Sequence, residues 1–214
     1  MVIEVNDLKK WNYARLVTIP FDHSELITTL EKIPRGEHIK LIQKKTDNPL
    51  NYHAAILDFE GNPVFLIGIM IYNSLFSFFI EDYDYRIELY LLLLNVFSNN
   101  DKLVYFTFSN HEKEEIKKIC QYLEYQNENL SDYIPVDMIP IINLQLNSFE
   151  SLLEALYSIQ SDMKITGDAL FRNTRLVDQL FYAKKYNEVV YHNQNCLKNE
   201  SIILKKRWLK LYTV

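Results

Sequence analysis

Glycine and proline are scarce in this chain, with four and six residues among 214. Both numbers lie below average usage, so we expect short loops. Disorder is excluded for the most part, because hydrophobic residues make up 48% of the chain and include fifteen tyrosines and twelve phenylalanines. The length is sufficient for a well-buried core in one large domain, or in a domain with an appendage.

Cysteine is almost absent, and the two that occur are Cys120 and Cys196. Each lies in an amphipathic pattern, which favours a buried thiol over a disulfide partner or a metal ligand. The N-terminal residues do not show a signal-peptide pattern. We therefore expect the protein to be located in a reducing, intracellular compartment, namely the cytoplasm.

An excess of positive charge is also missing, because the formal net charge is −5. A global cationic field that attracts nucleic acid or an anionic membrane is thereby excluded. A nucleic-acid partner would have to be held by local patches or through bound metal. Two clusters of basic residues are candidates, although each can equally be a solvated face: Lys40, Lys44 and Lys45; and Lys198, Lys205, Lys206, Arg207 and Lys210.

Long hydrophobic runs are lacking as well. Residues 65–71 are apolar but too short to cross a bilayer, and the run at 89–96 follows charged residues at helical spacing. We expect no membrane segment.

The pattern of the chain predicts an α/β protein. Residues 1–51 read as an N-terminal extension packed on the main domain, with strands at 15–19 and 38–43 around a helix that begins near Asp22 or Ser24. From residue 52 to 214 we expect one domain that starts with a three-stranded meander. The expected elements of this domain are strands at 53–59, 64–72 and 75–80, a helix at 81–97, a strand at 101–106, a helix at 111–125 and further helices within 149–159, 167–186 and 189–211.

The most informative segment is the apolar run that ends in Asp58 and Glu60. Residues two apart in a strand point to the same face, so the two carboxylates would lie side by side. This arrangement suits a hard divalent cation, and without one the like charges raise each other's pKa. A strand end that reaches a polar turn is the alternative interpretation.

Three segments together resemble the exonuclease motifs of the DEDD group: LDFE at 57–60, VYFTFSNHE at 104–112 and YHNQNCL at 191–197. The segment GDAL at 167–170 resembles the approach to the third motif. The similarity is to ribonuclease H-like predicted nucleases related to the proofreading domain of B-family polymerases, and it covers roughly residues 52–212. The implied fold is a mixed sheet, with an antiparallel three-stranded meander followed by α/β units and helices on both faces.

The resemblance implies a metal-dependent 3′-5′ exonuclease that hydrolyses single-stranded DNA or RNA with two Mg²⁺ or Mn²⁺ ions. Asp58 would be shared by both ions, and Glu60 would bind one of them beside the attacking water. Glu112 takes the place of the acid of the second motif. Tyr191 falls where a tyrosine orients the water, and Asn195 falls where the family has its fourth metal-binding carboxylate.

The sequence departs from the family at that fourth position. An amide oxygen is a neutral and weaker ligand for a hard cation than a carboxylate, so Asn195 should weaken the second metal site most. Asp168 or Asp178 are possible substitutes. His192 also stands where the family usually has asparagine.

Simpler roles exist for two of these residues. Glu112 lies in the first turn of an expected helix with Glu114 and Glu115, where acids are favoured by the helix dipole alone. Tyr191 can be a core aromatic residue whose hydroxyl is satisfied.

Three hypotheses follow. The first is the exonuclease, for which Asn195→Asp should preserve or raise activity. The second is a ribonuclease H-like module with a degraded site that binds nucleic acid or a partner protein without cleaving. The third is a structural or assembly protein with an exposed aromatic surface.

Overall fold

The structure is a computed structural model that describes residues 23–50, 53–101, 103–159, 168, 170 and 175–209. The strand expected at 15–19 lies outside these residues. The strands are β1 Lys40–Lys45, β2 Ala54–Glu60, β3 Leu66–Ile71, β4 Ser74–Phe79, β5 Val104–Thr107 and β6 Ile141–Asn143. The helices are α1 His23–Lys32, α2 Arg86–Asn99, α3 His111–Tyr125, α4 Leu152–Ile159, α5 Leu176–Tyr182 and α6 Tyr186–Ile203, which continues as a π-helix over Leu204–Leu209. Short 3₁₀ turns cover Tyr83–Tyr85 and Val136–Met138.

The six strands form one mixed sheet in the order β1-β4-β3-β2-β5-β6. Strands β2, β3 and β4 pair antiparallel as the expected meander. Strand β5 pairs parallel to β2, and β6 pairs parallel to β5. The α/β class is therefore confirmed.

Strand β2 is apolar on both faces, and both faces of the sheet are covered. Ala55 and Leu57 lie in a hydrophobic cluster with residues of α2 and α3, whereas Ile56 lies in a second cluster with residues of α4 and α6. Successive side chains of a strand alternate between faces, so Asp58 and Glu60 share the face of Ile56. This is the face on which α6 packs across β2, β3 and β4.

Strand β6 was not expected, because the second half of the chain reads as mostly helical. The strand is only three residues long, too short for alternation of polar and apolar residues to be visible in the sequence. It forms because it pairs with the outer edge of β5. The backbone amide of Tyr105 donates to the carbonyl of Pro140, and the amide of Leu144 donates to the carbonyl of Thr107.

Helix α4 begins later than the expected residue 149, and its start has a local cause. The Ser151 hydroxyl accepts a hydrogen bond from the amide of Glu154, and the Glu154 carboxylate accepts one from the amide of Ser151. This reciprocal pair is a capping box, which fixes the first turn immediately after Ser151.

The N-terminal segment contributes to the same sheet. Strand β1 pairs antiparallel with β4 at its edge, and Leu30 and Ile33 of the preceding segment are buried in the cluster beneath α2. No helix among the described residues combines the length and the apolar character that crossing a membrane requires.

Candidate functional site

Three carboxylates meet at one end of β2. Asp58 and Glu60 come from the last residues of that strand, and Glu112 comes from the first turn of α3, which follows β5. All three are buried and line a cleft of about 390 Å³. The structure thus brings together three of the residues that the sequence analysis singled out. The other residues of the cleft are Phe59, Gly61, Asn62, His111, Arg175, Val177, Asp178, His192 and Cys196.

The electrostatics of this cluster are unfavourable for anions. Burial is the main reason that the pKa of Asp58 lies well above its usual range, and the charge of Glu112 adds to it. Burial also raises the pKa of Glu60, followed by the charges of Asp58 and Asp168. A bound cation would relieve this repulsion, so the cluster has the chemistry of a cation site.

Glu112 is held at the start of α3 by its neighbour. The Ser109 hydroxyl donates to Oε2 of Glu112 at 3.2 Å and accepts a bond from the amide of His111. Burial raises the pKa of Glu112, although bonds from backbone amides and from Ser109 oppose the change. Helix capping alone does not require the side chain to be buried, and here it points into the cleft.

Asn193 of α6 fixes the position of Asp58. Its Nδ2 donates to both the carbonyl and Oδ2 of Asp58, at 3.1 and 2.9 Å. Its Oδ1 accepts a bond from the Ser77 hydroxyl on β4. The helix reaches this depth because Gly68 lies between Asp58 and Ser77 in the register, and a Cβ on Gly68 would stand 2.1 Å from Asn193 Oδ1.

A second chain of polar contacts orients His192. Its Nδ1 lies 3.0 Å from Oδ2 of Asp168, and Nδ2 of Asn195 donates to the same oxygen at 3.2 Å. When the imidazole is neutral, this contact places its proton on Nδ1, because a carboxylate can only accept. The other nitrogen, Nε2, then has the lone pair and lies 3.7 Å from Glu60 Oε1.

Glu60, His192 and Cys196 form a group that could hold a metal ion, since one ligand atom from each lies within 4.8 Å of the other two. The expectation that Cys196 is a buried thiol is right about its burial, but its sulfur lies inside the polar cluster and not in the apolar core. Burial, followed by the charges of Asp58 and Glu60, raises the pKa of Cys196 well above its usual range. Cys120, by contrast, is only partly buried.

Glu200 is a member of the cluster that the sequence analysis missed. It is 2% exposed, and its Oε2 has no hydrogen-bond partner among the described residues. Burial raises its pKa well above the usual range, and so do the charges of Asp58, Glu112 and Glu60. The available signal was its spacing, because positions 192, 196 and 200 are successive turns of one helix face.

Tyr191 and Asn195 lie beside the cleft and do not line it. Tyr191 is 46% exposed, so it is not a core aromatic residue. Asp168, one of the two possible substitutes for the fourth carboxylate, lies beside Asn195 and accepts a hydrogen bond from its amide. Asp178, the other possible substitute, accepts a bond from the amide of Asn62 in the turn after β2.

The two basic clusters approach each other at α6. Burial lowers the pKa of Lys198, and the charge of Lys44 lowers it further. Two other members have protein partners: Lys205 contacts Asn48, and Arg207 forms a two-point ion pair with Glu150. Lys198 also interacts electrostatically with Tyr191.

Comparison with known proteins does not add a family to this picture. No family model, curated protein or solved structure matches this chain. The site itself offers buried carboxylates, an oriented imidazole and a thiol around an accessible cleft. Such a set can bind a cation and accept a proton from water.

Proposed function

We propose that this protein is a metal-dependent nuclease with a ribonuclease H-like fold, which removes nucleotides in the 3′-5′ direction from single-stranded DNA or RNA. The observation that carries the proposal is the convergence of Asp58, Glu60 and Glu112 on one cleft. Support for the fold comes from the sheet, in which an antiparallel meander continues through β2 into two parallel strands.

The residues present fit a pair of hard cations. Two bound Mg²⁺ or Mn²⁺ ions would stabilise the attacking and leaving oxygens of an in-line phosphodiester displacement. Asp58, Glu60 and Glu112 would hold them, with Asn193 fixing the orientation of Asp58. Glu60 would accept a proton from the attacking water.

When a cation is bound, Glu200 would supply the negative charge that Asn195 lacks. It is a buried carboxylate one turn beyond Cys196 on the same face of α6, and its charge interacts with those of the other three acids. We therefore assign the fourth carboxylate of the nuclease to Glu200. Asn195 becomes a residue that positions Asp168, and through it His192.

A surface suited to single-stranded nucleic acid lies next to the cleft. Tyr191 is half exposed on α6, and Lys198 lies two turns further along the same helix, close to Lys44 of β1. An exposed aromatic ring beside cations is the usual combination for stacking a base and holding a phosphate.

The test is a cleavage assay on end-labelled single-stranded DNA and RNA with Mg²⁺ or Mn²⁺. We expect stepwise shortening that Asp58→Asn and Glu112→Gln abolish. Glu114→Gln is the matched control, because Glu114 lies in the same first turn of α3 but is exposed, and it should retain activity. Equal activity in all variants would refute the assignment.

The alternative is a module that binds nucleic acid or a partner protein without cleaving it, and Asn195 is the observation that favours it. Binding of labelled single strands without shortening, in the presence of either metal, would select this alternative. The Asn195→Asp variant separates the nuclease from the non-cleaving module less well than we expected from the sequence. The new carboxylate would face Asp168, so we expect it to lower stability and not to raise activity.

A further inference from the structure

Three different ligand types meet at one point of the cleft. Oε1 of Glu60 and Sγ of Cys196 each lie 3.7 Å from Nε2 of His192. Two ligand atoms bound to one Zn²⁺ ion at a tetrahedral angle stand about 3.3–3.6 Å apart, given bond lengths of about 2.0–2.3 Å. Two of the three distances are therefore already near the spacing that a single ion imposes, and the third, between Glu60 and Cys196, lies within 4.8 Å.

The imidazole is also prepared for metal binding. Oδ2 of Asp168 accepts a hydrogen bond from Nδ1 of His192, and Nδ2 of Asn195 donates to the same oxygen. A carboxylate on the far nitrogen of a ligating histidine fixes the ring and raises the basicity of the near nitrogen. Asp168 is therefore placed as the outer partner of a metal-binding histidine.

We propose that Glu60, His192 and Cys196 bind a single transition-metal ion of the Zn²⁺ class. Thiolate and imidazole are ligands that Zn²⁺ accepts and that the hard Mg²⁺ ion avoids. The carboxylate and the thiolate together neutralise the two positive charges of the ion. Binding replaces the thiol proton of Cys196, which is released to the solvent.

The site is closed by protein on one side and open on the other. All three ligands line the cleft, so a fourth position would face the space available to water or substrate. Three protein ligands with one open position are typical of catalytic zinc sites, whereas structural sites have four. This inference goes beyond the proposed nuclease activity, because the ion can bind whether or not the protein cleaves. Glu60 belongs to both proposed sites, so the Zn²⁺-class ion and a hard cation would share this carboxylate or compete for it.

The experiment uses Co²⁺ as a spectroscopic substitute for Zn²⁺. The purified full chain, freed of metal with a chelator, is titrated with Co²⁺ while the thiolate-to-cobalt absorption in the near ultraviolet is recorded. We expect a band that saturates at a single ion per chain. Zn²⁺ should remove it, and a large excess of Mg²⁺ should not.

The chain supplies a matched pair of cysteine variants. Cys196→Ser should abolish the band, while Cys120→Ser, which changes the only other cysteine, should leave it intact. Asp168→Asn keeps all three ligands and should weaken Co²⁺ binding about 10- to 100-fold. Circular dichroism confirms that each variant is folded.

The inference is overturned if the wild-type chain gives no band, or if the band persists in Cys196→Ser. Unchanged affinity in Asp168→Asn would also contradict it, and this variant decides the matter if Cys196→Ser does not fold. The cobalt titration does not depend on cleavage, so the two proposals are tested separately. A cobalt band in a protein that is inactive in the cleavage assay would reject only the proposed function. Nuclease activity without a band would reject only this metal site.

Discussion

Asn193 is the residue on which the geometry of Asp58 depends most directly. Its side chain is fully buried and connects α6 to Asp58 on β2 and to Ser77 on β4. Asn193→Ala leaves buried polar groups without partners, so we expect the free energy of unfolding to fall by about 1–3 kcal/mol. Urea denaturation measures the change. Asn187→Ala, an exposed position in the same helix, should alter it by less than about 0.5 kcal/mol.

The buried acids make a second prediction at the residue scale, on pH. The pKa values of Asp58, Glu60 and Glu200 are raised in the folded state, so the folded chain binds more protons than the unfolded chain above the ordinary carboxyl pKa. Stability should therefore fall as pH rises from about 5 to about 8. Melting temperatures recorded in the presence of a chelator test this.

Glu200→Gln provides the comparison for the pH prediction. The amide is nearly the same size but carries no charge, so the variant should melt higher than the wild type at pH 8. At pH 5 the difference should be smaller, because the wild-type carboxyl is then closer to its protonated form. A variant that is less stable at both pH values would show that the Glu200 charge is not repelled.

At the scale of elements, an ion pair connects the π-helix that follows α6 to the segment just before α4. Nη1 and Nη2 of Arg207, in the π-helix, contact the two carboxylate oxygens of Glu150 at 2.8 and 2.6 Å. Nη2 also donates to the Ser158 hydroxyl. This pair lowers the pKa of Glu150, so its contribution to stability is present above the ordinary glutamate pKa and is lost as pH falls.

Arg207→Lys is therefore not a conservative change. A lysine cannot make both parallel contacts, so we expect a loss of about 0.5–1.5 kcal/mol in the free energy of unfolding at pH 7. The exposed Lys206→Arg serves as a control and should be neutral. Urea denaturation at pH 7 and pH 4 separates the outcomes: a difference that does not shrink at pH 4 would mean that the charge on Glu150 is not involved.

Some of the elements and site residues could be predicted from the sequence, and others could not. The meander and the placement of Asp58 and Glu60 on one face follow from a period of two, which is local information. Helix α3 has the predicted bounds, His111–Tyr125. The helical spacing of positions 192, 196 and 200 puts Glu200 on the face of His192, which is local information. Its approach to Asp58 and Glu112 depends on how closely α6 packs over Gly68, which no local pattern indicates. Strand β6 likewise depends on a partner that is far away in the chain.

At the scale of the whole molecule, a bound cation should stabilise the fold by mass action. Mn²⁺ at about 100 times its dissociation constant adds about 2.7 kcal/mol. For a chain of this length that corresponds to about 5–10 °C in melting temperature. Differential scanning fluorimetry with increasing Mn²⁺ tests the shift. Asp58→Asn should reduce it, and no shift in the wild type would argue against a cation in the cleft.

Among the described residues, β1 and β6 are the outermost strands of the sheet, and this affects how the protein is expected to behave in solution. Strand β6 is only three residues long, and β1 places Lys40, Lys44 and Lys45 at the opposite margin, where they are exposed. Exposed strand margins are templates for uncontrolled pairing between copies, and lysine and short length both oppose it. The lysines that are candidates for holding a nucleic-acid strand thus also protect the protein from aggregation through β1.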